Sequence, residues 1–138
     1  MMTRLRTLRD ETGSAAIEFA IAVPVLAVMI WGMFQIAIVL QANAGMQQAL
    51  GEGARYATIF DTDTNARPTD DEIAAKITSA KFGVGGGTWH TPSIDDSNEA
   101  SDGYIVIDVS YDVPTNFLLF PGPTITLEHS KRVYTQTA

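Results

Sequence analysis

The chain has 138 residues, a length that suits one domain, and no cysteine, which excludes disulfide frameworks, thiolate zinc sites and cysteine nucleophiles. With 46% hydrophobic and 18% charged residues it is not a disordered polyelectrolyte, and a net charge of −7 argues against a nucleic-acid partner, which needs a basic footprint. The charge is uneven: residues 1–13 carry three Arg and two acids, residues 14–51 carry only Glu18, and residues 52–138 carry six bases and thirteen acids.

Phe19 to Leu40 reads FAIAVPVLAVMIWGMFQIAIVL, with no charged side chain. As a helix this run is about 33 Å long, against a hydrocarbon core of about 30 Å, so it is predicted to span a bilayer once. The rival reading is a secretory signal peptide, whose apolar core of about 7–15 residues ends at a small-residue cleavage site. No A-x-A site closes a core of that length here. Arg4, Arg6 and Arg9 precede the run and no comparable cluster follows it closely. The positive-inside rule then holds the N-terminus in the cytoplasm and exports the C-terminal body.

The junction reads Gly13-Ser14-Ala15-Ala16-Ile17-Glu18-Phe19. A carboxylate at the end of an apolar span is costly unless it is paired or close to the headgroups, which makes Glu18 a functional candidate. The plainer alternative is a side chain that only reaches the interface. Pro24 lacks an N–H, so the carbonyl of Ala20 loses its helical partner and the helix is expected to kink or loosen there. It is either a proline tolerated in a membrane helix or a pliant point that eases extraction from the bilayer.

Gly13 followed by Ser14 and by Glu18 resembles the cleavage signal of type IV prepilins. The run from Gly13 to about Ala57, with Glu18-Phe19, Pro24 and Gly-Ala-Arg-Tyr-Ala at 53–57, resembles the TadE-like pseudopilins of the tight-adherence (Flp, type IVb) pilus system. The resemblance implies cleavage between Gly13 and Ser14 by a membrane prepilin peptidase. It also implies a bacterial inner-membrane location with the body in the periplasm, and partners among other pilins or pseudopilins and the inner-membrane assembly platform. Cleavage would unmask an α-amine, with a reference pKa of about 7.7–8, one turn before Glu18. Ammonium and carboxylate attract strongly in a low-dielectric site, which offsets much of their desolvation. In pilins this pairing is thought to run between neighbouring subunits and to set register.

Beyond Leu40 the helix is predicted to continue to about Phe60, with Met46, Leu50, Gly53, Ala57 and Phe60 on one apolar stripe. Gly45, Gly51 and Gly53 each cost about 1 kcal/mol relative to alanine in a helix interior and are explained if another element approaches closely. Thr69 to Glu72 has the capping-box pattern for a second helix, with Ile73, Ile77 and Ala80 on one face and Gly83 as a stop. Tyr104–Val113 alternates as a strand ended by Pro114, and Thr124–Tyr134 is a further strand. A weaker strand lies near Thr88–Ile94. Phe117–Pro123 is predicted as an apolar loop with a proline-rich turn, and Asp95–Gly103 as a polar loop. The expected fold is α+β and pilin-like. A basic leader, 1–13, precedes a long N-terminal helix, 14–60, whose transmembrane part is 19–40. The exported body, 61–138, adds a short second helix and a three- or four-stranded antiparallel sheet.

Few residues suggest chemistry. Asp61, Asp63, Asn65 and Glu72 fall at positions 1, 3, 5 and 12 of a calcium-loop pattern. Ala66 replaces the turn-forming glycine, however, and Glu72 has a competing place in the helix cap, so a solvated acidic loop is the simpler reading. His90 and His129 lie in no metal or triad spacing and are assigned to the surface or a sheet edge. No nucleophile–base–orienter set and no Gly-x-Ser-x-Gly elbow is present. The sequence therefore points to assembly, with no cofactor, small-molecule substrate or enzymatic activity. The alternative from a different class is an uncleaved, single-span anchored periplasmic binding or scaffold protein. Phe117–Phe120, with Tyr111, is either a contact patch for partners or an inward-facing loop.

Overall fold

The structure is a computed structural model that describes residues 11–59, 66–83, 85–117 and 120–135. Arg4, Arg6, Arg9, Phe60, Asp61, Asp63 and Asn65 lie outside the described residues. Helix α1, Glu11–Ala57, takes 47 residues, about 70 Å of helix, with Pro24 inside it. Pro24 does not end the helix.

Two regimes divide α1. Through Gln41 its apolar side chains stand largely exposed, and it is the one helix among the described residues long and apolar enough to cross a membrane. From Ala42 onward one stripe is buried: Ala42, Met46, Ala49, Leu50, Ala54 and Ala57. Apart from the neighbours Ala49 and Leu50, the steps are three or four, which puts these residues on one face, as the periodicity predicts. The helix stops where the Thr58 N–H and hydroxyl both donate to the Arg55 carbonyl.

Helix α2, Asp70–Ser79, begins at the predicted capping box, in which the Thr69 and Glu72 side chains each accept from the other's backbone N–H. Its Ile73 and Ile77 are fully buried. A Cβ on Gly53 would run into the Ile77 side chain, so the glycine is what lets α2 approach α1. Gly51 has nothing within 4 Å of that position, and close packing does not account for it.

The sheet is four-stranded and antiparallel: β1 (Thr88–Trp89), β2 (Ser93–Asp95), β3 (Tyr104–Phe117) and β4 (Phe120–Tyr134). Strand β3 is central, with β4 along one side and the short β1 and β2 along the other. Its alternation is as predicted, since Ile105, Ile107, Val109, Tyr111 and Val113 all face the core beneath α1 and α2. The weak strand near Thr88–Ile94 is two short strands, and a four-residue helix, α3 (Glu99–Asp102), occupies the predicted polar loop.

Two expectations are corrected. Pro114 does not end β3; it pairs with Thr124, and a register shift between Pro114 and Asn116 absorbs the irregularity. Of the predicted loop at Phe117–Pro123, Phe117 and Phe120–Pro123 are strand instead, with Phe117 paired to Phe120, and Leu118 and Leu119 lie outside the described residues. Pro121 and Pro123 are tolerated because β4 pairs only with β3, and proline costs little where no further strand needs its N–H.

Candidate assembly site

At the head of α1, Ser14 and Glu18 lie one turn apart on the same face, and the Ser14 hydroxyl donates to the Glu18 carboxylate at 3.5 Å. Both are exposed, as is Phe19. The carboxylate stands at the top of a shallow apolar groove running down one helix face past Ile21, Val25 and Met29. Gly13 has nothing within 4 Å of where a Cβ would lie, so packing within the chain does not demand glycine there. The helix therefore brings together Gly13, Ser14, Glu18 and Phe19, with Pro24 further along.

Further along the helix is a contact that the sequence does not disclose. The only two side chains between Phe19 and Leu40 with conventional hydrogen-bonding groups are Trp31 and Gln35. Both are used on one residue of the hairpin. The Trp31 indole N–H donates to the Asn116 carbonyl at 2.6 Å, and the Asn116 N–H donates to Gln35 Oε1 at 3.3 Å. Beside them lies an apolar groove of about 490 Å³ between α1 and the hairpin, lined on one side by Met29, Met33 and Ile36 and on the other by Phe117, Pro123 and Ile125. The presence of just two polar groups in the run is the signal that marks Trp31 and Gln35. Their partner is some 80 positions away in sequence and cannot be read locally.

The body is held by polar ties around its core. Arg67 donates to Asp70 at 2.8 Å and to Glu99 at 2.6 Å, joining the start of α2 to α3. The hydrogen bond from Arg67 holds the Glu99 carboxyl below the usual carboxylate range, and the same bond raises the Arg67 guanidinium. Asp112 accepts from the Thr126 hydroxyl at 2.7 Å and pairs with His90 at 2.9 Å, and both contacts lower its pKa, Thr126 the more. His129 meets Asn43, tying β4 to α1. Glu72 is committed to the cap, accepting from the Thr69 N–H at 2.8 Å and the Thr69 hydroxyl at 2.9 Å. Among the described residues no group of three or more His, Asp or Glu is placed to hold a metal ion. Tyr111 is no part of a surface patch: it is buried, and its hydroxyl donates to the Gly85 carbonyl. Phe117 and Phe120 are exposed, with ring centroids 5.2 Å apart.

An apolar helix, bare over its first two thirds, carries a small α+β body on its distal third, and by length and composition that helix is a candidate membrane anchor. Residues 13–55 match the family described as TadE-like protein, which supports a component associated with the tight-adherence pilus. The matched stretch contains Gly13, Ser14, Glu18, Phe19, Pro24, Trp31 and Gln35, while the sheet lies beyond it. No curated protein and no solved structure matches the chain.

Proposed function

We infer that the chain is a pseudopilin or minor-pilin-like component of a tight-adherence pilus or related secretion system, acting in assembly and adhesion. A prepilin peptidase cuts between Gly13 and Ser14, and the mature helix rests in the bacterial inner membrane before it is incorporated into a pilus. Its 1–13 leader is cytoplasmic, held there by Arg4, Arg6 and Arg9, and the body is periplasmic. Partners are the lipid bilayer, the peptidase, other pilins or pseudopilins and the assembly platform.

The observation that carries this reading is the head of α1. Among the described residues Glu18 is presented without a cation, one turn from the residue that cleavage would make N-terminal, on a stretch of helix whose apolar side chains stand exposed. A carboxylate close to a new helix N-terminus also complements the positive end of the helix dipole. In a bundle, the ammonium of one Ser14 meets the Glu18 of its neighbour, and register follows because an unpaired charge in hydrocarbon is costly. Gly13 leaves room beside the scissile bond, and Pro24 gives the helix a point of yield.

The test is a Glu18→Ala chain expressed in cells that hold the pilus machinery. Cleavage should remain largely intact while recovery in the sheared, pelleted pilus fraction falls sharply. Recovery equal to that of the unaltered chain rules out the role assigned to Glu18.

A further inference from the structure

Trp31 sits nine residues below Leu40, which is about 13 Å of helix. If Phe19–Leu40 spans the bilayer, the hairpin residue bonded to Trp31 lies at the depth of the outer leaflet's hydrocarbon, well below the surface. We propose that the end of the β3–β4 pair at Phe117 and Phe120 is a second membrane-inserted element, docked on the span, and that lipid acyl chains fill the groove between them. This rests on reading residues 19–40 as the membrane span.

Several observations converge on lipid as the occupant. The groove is continuous with the span, since one of its walls is the span itself. The hairpin from Val113 to Leu127 has no charged residue, although the body around it is strongly acidic. That acidity keeps the rest of the body off an anionic surface, and the uncharged tip is the part suited to enter. Phe120 is 61% exposed and Phe117 and Ile125 over a third exposed, a cost in water that disappears in hydrocarbon. Polar backbone inside a bilayer must find partners within the protein. At Asn116, beside the register shift, both backbone groups find them, and they use up both polar side chains of the span. A second copy of the chain pressed on this groove is the competing occupant.

The chain lacks cysteine, so single-cysteine variants carry one spin label each. Phe120→Cys and Pro121→Cys place it at the exposed tip, Ala27→Cys in the span, and Ser101→Cys on α3 in the body. The full-length variants are reconstituted into phosphatidylethanolamine–phosphatidylglycerol vesicles, and collision rates with oxygen and with a water-soluble nickel chelate are compared. For insertion, labels at 120 and 121 collide several-fold more with oxygen than with the chelate, as at 27, while the order reverses at 101. Water-exposed labels at 120 and 121 with a lipid-exposed label at 27 overturn the hairpin's insertion and leave the span intact. Water exposure at 27 overturns the span and, with it, the insertion. Labels at 120 and 121 shielded from both reagents mean that protein covers the groove, which also overturns the proposal.

Discussion

Gly51 and Gly53 are two positions apart on the same helix, yet their surroundings oppose each other. A side chain at 53 would enter the fully buried Ile77, whereas one at 51 would enter open space. Gly53→Ala should therefore destabilise the chain by about 1–3 kcal/mol through overpacking, despite the better helix former. Gly51→Ala should stabilise it by about 0.5–1 kcal/mol. Denaturant melts of the detergent-solubilised chain read both, and two shifts of the same sign would contradict the close approach of α1 and α2. In the sequence the periodicity sets Gly53 on the apolar stripe and leaves Gly45 and Gly51 off it, but nothing local says which element meets that stripe. Glu18 was legible for the opposite reason. A lone charge at the lip of a long apolar run announces itself without any knowledge of the fold.

At the scale of elements, α2 depends on its cap and on Arg67. Thr69→Ala removes one half of the capping box and should cost about 1 kcal/mol, seen as a lower melting midpoint with an unchanged denaturant slope. Folding holds the Glu99 carboxyl below its usual range, so its pairing with Arg67 contributes fully above that range and is lost as pH falls through the lowered value. The melting temperature of the unaltered chain should then fall more steeply on acidification than that of Glu99→Gln, and the two curves should converge at low pH. Parallel curves would show that the Arg67–Glu99 tie does not stabilise the fold. Periodicity revealed α1, α2 and the buried face of β3, since each writes its period into a continuous run. It failed at Pro114, Pro121 and Pro123. Proline ends a central strand but not one with a register shift or a free edge, and which edge is free is a property of the sheet, not of the segment.

For the whole molecule, one helix serves two environments. Its N-terminal part shows largely exposed apolar side chains, and its C-terminal part supplies a wall of the body's core. The join is reinforced by His129 on Asn43 and by Trp31 and Gln35 on Asn116, so the body is tied to the helix at several levels. Such coupling suits a subunit whose movement out of the bilayer must carry its periplasmic surface with it. The proposed assembly role depends on proteolysis after Gly13. Mass spectrometry of the protein extracted from membranes of cells that hold a prepilin peptidase measures it directly. The expected species begins at Ser14, with or without an N-methyl group, and it disappears in cells without the peptidase. A polypeptide that keeps residues 1–13 in the presence of the active enzyme would contradict the pilin reading.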